Sequence, residues 1–146
     1  MRGEVVQVEG VTVLNDSYNA NPVSMRAALA AFGLLEIEGR RHAVLGDMLE
    51  LGKTSRTLHR ELGEELGRSR LDFVWLYGKE MEEAAQAARK TGRKGMVVRH
   101  ATSLEEIAEE LAESVHTGDG VLIKGSRGMG PERAMEVLKQ RQEKKD

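Results

Sequence analysis

The stretch "HAVLGDMLELGKTSRTLHRELGEELG", residues 42–67, decides the fold. It opens on an unbroken apolar run, as in a strand covered on both faces rather than one. A loop rich in glycine and carboxylates follows. Beyond it Leu58, Leu62 and Leu66 recur every fourth residue, which predicts a helix from about Thr54 to Gly67. Gly46 followed by Gly52-Lys53-Thr54 invites reading the loop as a phosphate-binding P-loop. That pattern needs four residues between its first glycine and the Gly-Lys-Thr, because the backbone nest that wraps a phosphate depends on loop length. Here five intervene, and Asp47 and Glu50 bring negative charge where phosphate would sit. The stretch is a buried strand, a polar loop and a helix, without a P-loop.

The same alternation extends along the chain. "DFVWLYG" (72–78), "GMVVRH" (95–100) and "GVLIKG" (120–125) read as further strands. Helices are expected from Lys79 to Thr91, from a capping box at Ser103 and Glu106 to about Val115, and from Pro131 onward. "RQEKKD" (141–146) reads as a solvated, frayed tail. Upstream, the valine-rich "EVVQVEGVTVLND" (4–16), punctuated by Gly10, predicts two short strands or a bent hairpin. Asn21-Pro22 opens a helix predicted to reach about Glu38, with Val23, Ala27, Ala30, Ala31 and Leu34 as its buried face. The expectation is a single α/β domain, Rossmann-like, with a mostly parallel sheet and helices on both faces.

Composition narrows the function classes. A net charge of −2 over 146 residues gives no electrostatic reason to expect nucleic acid or an anionic membrane. Aromatics at 3% leave little for base stacking, and no apolar run approaches a membrane span. The absence of cysteine excludes disulfides and thiolate metal sites, and fits a reducing cytoplasm. The four histidines have no ligand spacing, so no zinc site is expected. "MRGEVVQVEG" lacks the apolar core of a signal peptide.

In a parallel α/β sheet, ligands bind beyond the carboxyl ends of the strands. Three polar loops are expected there: "NDSYNANP" (15–22), "LGDMLELGKTS" (45–55) and "KGSRGMGPE" (124–132). The first offers Asp16, Ser17, Tyr18, Asn19 and Asn21, whose groups suit adenine edges, ribose hydroxyls or a peptide backbone. Turn and capping chemistry accounts for Asn21 equally well. In the second, Asp47 could hold an ammonium group, or Lys53 could pair with Glu50. His59 reads more readily as a packing or hydrogen-bonding residue than as a base, and Gly63 leaves room beside it for another backbone or a ligand. The third places Lys124, Ser126 and Arg127 among Gly125, Gly128 and Gly130 ahead of a helix, an arrangement suited to an anion. Arg127 could clamp a carboxylate or phosphate at two points.

Together "NDSYNANPVSMRAAL", "AVLGDMLELGKTSRTLHRELG" and "VLIKGSRGMGPERAMEVL" resemble the C-terminal domain of the Mur ligases, in the right order and over nearly the whole chain. Within that family the blocks are most similar to the member that uses D-alanyl-D-alanine. His59 and Gly63 match that member's H-x-x-x-G continuation, and the histidine that related ligases carry near Ala20 is missing. The resemblance implies that residues 1–14 are the entry to a third domain. The UDP-sugar domain and the central ATPase domain, with its true P-loop, would lie outside residues 1–146, and these residues alone would be inactive. It implies ATP-dependent amide formation between a UDP-N-acetylmuramoyl tripeptide and D-alanyl-D-alanine through an acyl phosphate, in cytoplasmic peptidoglycan precursor synthesis. ATP and Mg²⁺ would be held mainly by the central domain, in a monomer.

By the same resemblance Asp16, Tyr18, Asn19 and Asn21 face the nucleotide. Asp47, His59, Lys124, Ser126 and Arg127 belong to the dipeptide side or the phosphate edge, and no residue is singled out as catalytic or as a metal ligand. Two alternatives stay open: a free-standing nucleotide- or peptide-binding module without turnover, and a sibling ligase such as folylpolyglutamate synthase.

Overall fold

A computed structural model of the chain describes residues 3–16, 20–125 and 132–145, with side chains through residue 140. Six strands form one sheet in the order β1-β2-β6-β3-β4-β5. They are β1 (Glu4–Val8), β2 (Val11–Asn15), β3 (Arg41–Gly46), β4 (Phe73–Tyr77), β5 (Val97–Ala101) and β6 (Gly120–Lys124). All neighbours run parallel except β1, which pairs antiparallel with β2. The hairpin closes through Glu9 and Gly10, both at positive φ (48° and 85°). A two-residue loop of that hand follows the twist of its strands.

Helices α1 (Pro22–Gly33), α2 (Ser55–Gly67) and α3 (Met81–Thr91) cover one face of the sheet, while α4 (Leu104–Ser114) and α5 (Glu132–Lys145) cover the other. Strand residues alternate between the two cores. Ala43, Leu45, Val74, Leu76 and Leu122 join Met25, Phe32, Leu62 and Leu66 on the first face. Val44, Trp75, Val121 and Ile123 join Ile107, Leu111, Ala134 and Leu138 on the second. This two-sided burial is why the strands read as continuous apolar runs.

Two features of α1 differ from expectation. The helix stops at Gly33 rather than near Glu38, where the Leu34 and Leu35 N–H groups turn back onto its last carbonyls and the Arg41 guanidinium donates to the carbonyls of Phe32 (2.8 Å) and Leu35 (2.6 Å). Its buried face is Met25, Ala28 and Phe32, whereas Val23 is 74% and Leu34 85% exposed. The helix is apolar almost all round, so periodicity could not choose between faces. The core took the one carrying the larger Met and Phe.

Helix α3 starts at Met81 instead of Lys79, after a turn at Gly78. Helix α5 keeps helical backbone to Lys145 where a frayed tail was expected; its last turns are rich in the helix formers Gln, Glu and Lys. Gly52–Thr54 forms a single 3₁₀ turn leading into α2.

Candidate functional site

The three polar loops leave the carboxyl ends of β2, β6 and β3, which are consecutive strands in the sheet. The loops after β2 and β3 lead to helices on one face, and that after β6 leads to α5 on the other. A crevice opens where neighbouring strands send their connections to opposite faces. The convergence expected from sequence is therefore a property of the strand order.

At this edge Lys124 and Asp16 form a buried ion pair. The Lys124 ammonium donates to Asp16 Oδ2 at 3.1 Å and to the Asp16 carbonyl at 3.3 Å, with the two side chains 1% and 5% exposed. The pair ties the end of β6 to the end of β2. Asn21 caps α1: its side-chain oxygen accepts from Ser24 N–H at 2.9 Å, and Ser24 Oγ accepts from Asn21 N–H at 3.0 Å. A carboxamide used this way still has its amino group to donate. Tyr18, Asn19, Ser126 and Arg127, with Ser17 and Pro131, lie outside the described residues.

Asp47 is committed within the fold. Its carboxylate accepts from the N–H groups of Glu80 (3.1 Å) and Met81 (2.9 Å), so it caps α3 from the end of β3. Burial pushes its carboxyl up, against the pull of those two backbone donors. A side chain on Gly78 would strike the Asp47 carboxylate, so a glycine at φ 112° is required there.

His59 is fully buried and serves the same loop. Nδ1 donates to the Ser55 carbonyl at 2.8 Å, and Nε2 accepts from Met48 N–H at 3.1 Å. Ser55 Oγ donates to Glu80 Oε1 at 2.7 Å. One network thus runs from the loop after β3, through α2, to the turn before α3. It gives His59 the hydrogen-bonding role, and the space beside Gly63 is filled by the backbone of Ala84 on α3.

Two clusters had no sequence signal beyond isolated glycines and a histidine. Tyr77, at the end of β4, lies across Gly46 and Gly125; a Cβ built on Gly46 would come within 2.7 Å of its ring, and one on Gly125 within 2.9 Å of its hydroxyl. Among the described residues that buried hydroxyl has no hydrogen-bond partner, and burial pushes its pKa above the ordinary tyrosine range. Gly46 and Gly125 lead the second and third loops, so the ring sets how closely those loops approach.

The other cluster sits at the opposite end of the sheet. Trp75 Nε1–H donates to His42 Nδ1 (3.1 Å), and His42 Nε2–H donates to Asp119 (3.0 Å), which also accepts from Arg40 N–H (2.8 Å) and His116 N–H (3.0 Å). Its position assigns it to holding the sheet together. Among the described residues no group of three or more His, Asp or Glu side chains is arranged to hold a metal ion.

Comparison with known proteins gives these loops a context. The family model described as "Mur ligase, glutamate ligase domain" matches residues 1–127. The chain belongs to the Mur ligase family. Among relatives of this Mur ligase chain, the UDP-N-acetylmuramoyl-tripeptide–D-alanyl-D-alanine ligase of Bacillus subtilis is 38% identical over 94% of the chain and 30% of its own length. The Escherichia coli enzyme of the same name is 33% identical over 90% of the chain and 28% of its own length. Among solved structures, Thermotoga maritima MurF ligase in complex with ADP matches with a TM-score of 0.79 and 35% identity, covering 99% of this chain and 32% of that one. Acinetobacter baumannii MurF matches at 0.83 and 28%, covering 94% and 30%. The Mur ligase chain thus spans about a third or less of these proteins. No helix among its described residues is long and apolar enough to cross a membrane.

Proposed function

We propose that these residues are the C-terminal domain of an ATP-dependent ligase that joins D-alanyl-D-alanine to a UDP-N-acetylmuramoyl tripeptide in peptidoglycan precursor synthesis. What carries this reading is the position of the three loops on adjacent strands, in a chain matched over nearly its whole length by ligases of that name. ATP would supply the phosphoryl group that activates the tripeptide carboxylate. The dipeptide amine then attacks the acyl carbon, and phosphate leaves as the amide forms. ATP and Mg²⁺ would be held mainly by the central ATPase domain. The enzyme would work as a cytoplasmic monomer.

Within this scheme the domain's part is positioning and exclusion of water. Asp16, Tyr18, Asn19 and Asn21 border the nucleotide. Lys124 holds Asp16 in place, and Asp47 and His59 fix the second loop from below. Ser126 and Arg127 meet the dipeptide or the phosphate edge, Arg127 pairing with a carboxylate.

The test is a titration of isotopically labelled chain with D-alanyl-D-alanine and, separately, its L,L isomer, followed by amide shifts. Stereoselective shifts confined to residues 15–22, 45–55 and 124–132 are expected. Equal responses to the two isomers would overturn the dipeptide assignment.

A further inference from the structure

Helix α1 is clothed differently from the other helices. The outer faces of α2, α3, α4 and α5 carry charge: Arg56, Arg60 and Glu61; Glu82, Arg89 and Lys90; Glu105, Glu109 and Glu110; Arg133, Glu136 and Lys139 are all exposed. The outer face of α1 presents Val23, Ala27, Ala30 and Gly33, continued by Leu34. Its one charged residue, Arg26, is paired with Glu65 of α2 at 2.8 Å. A helix apolar almost all round is ordinarily covered almost all round, yet the core buries Met25, Ala28 and Phe32, takes Leu29 and Ala31 in part, and leaves Val23, Ala27, Ala30 and Gly33 exposed. Val23 at 74% and Leu34 at 85% exposure are the two most exposed large apolar side chains of the described chain.

We infer that this face is a docking surface, and that its occupant is the remainder of the ligase polypeptide, presenting aliphatic side chains. The inference rests on the ligase reading above. Size decides between this occupant and a second copy of the chain. A twelve-residue helix is about 18 Å long, so a stripe roughly 10 Å wide offers on the order of 200 Å². A free-standing dimer needs roughly 800 Å² from each partner. A tethered partner needs far less, because the link supplies an effective concentration in the millimolar range.

Proportion and position agree. The relatives devote about 70% of their length to polypeptide outside the matched region. Asn21 both closes the first site loop and caps α1, so the apolar stripe begins two residues from the crevice. A partner seated on it is held against the edge where the three loops converge.

The chain has no cysteine, so single cysteines report the surface directly. Ala27→Cys, Ala30→Cys and Leu34→Cys are exposed positions that need no repacking, and Glu109→Cys on α4, on the opposite face of the sheet, is the control. Labelling by a bulky maleimide is measured at each site by mass spectrometry, in the 146-residue chain and in the full-length ligase, with and without ATP. The expected result is labelling at 27, 30 and 34 at least tenfold slower in the full-length protein, with residue 109 unchanged. Equal rates at 27, 30 and 34 in an active full-length ligase would overturn the docking surface while leaving the ligase reading intact. Concentration-dependent protection in the short chain alone would assign the face to a second copy and overturn the inference. A coding sequence confined to these residues would overturn both readings.

Discussion

His42 shows what one buried side chain asks of the solvent. Its Nδ1 must stay unprotonated to accept from Trp75, and burial holds its pKa below the ordinary histidine value despite the nearby Asp119. In the unfolded chain the imidazole takes its proton near pH 6.5. Between that value and the lower one of the fold, the unfolded state binds more protons. The stabilising contribution is therefore complete above about pH 6.5 and is lost as pH falls through the folded value. Calorimetric melting of the wild type from pH 7.5 to 5 should show a larger drop than melting of His42→Gln, and equal drops would contradict this account. The Lys124–Asp16 pair makes a different demand. Lys124→Ala leaves a carboxylate buried without its partner, and urea denaturation should register a loss of about 3–5 kcal/mol. A loss under about 1 kcal/mol would mean that the pair is not buried in solution.

At the scale of elements, helices meet through glycines as well as leucines. Gly63 lets α2 lie directly on the backbone of Ala84 in α3. Gly63→Ala gains up to about 1 kcal/mol in helix propensity but overpacks that contact, at about 1–3 kcal/mol. The net expectation is a lower melting temperature, and an unchanged or higher one would show that the two helices can separate freely. Asn21→Ala removes the α1 cap and should cost about 0.5–2 kcal/mol, read from the shift in denaturation midpoint.

Strand positions, the hairpin, the Asn21 cap and the capping box at Ser103 and Glu106 were legible in the residues because each rests on a local rule: continuous burial, a turn glycine, a side chain three residues from its partner. The inward face of α1 was not, because a helix with apolar residues on all sides carries no periodic contrast. Asp47 was legible as a loop carboxylate but not as the cap of α3, since its partners Glu80 and Met81 are more than thirty residues away. Tyr77 was silent for the same reason. Gly46 and Gly125 need to be glycines only once β4 has been laid beside β3.

The whole molecule is a switch-point sheet whose carboxyl edge is supplied with loops from three adjacent strands, braced from beneath by the Met48–His59–Ser55–Glu80 network and by Asp47 on the first turn of α3. In the proposed ligase this edge would hold and orient the acceptor, and the rest of the polypeptide would activate the other substrate. The central claim is that this edge serves the addition of D-alanyl-D-alanine. Its most direct test is phosphate release by the proposed full-length ligase that includes these residues, supplied with ATP, Mg²⁺, a UDP-N-acetylmuramoyl tripeptide and either D-alanyl-D-alanine or its L,L isomer. The account predicts release that requires both the tripeptide and the D,D dipeptide, with a product heavier than the tripeptide by one dipeptide less water. No release with the D,D dipeptide, alongside turnover of glutamate with a folate substrate, would contradict it.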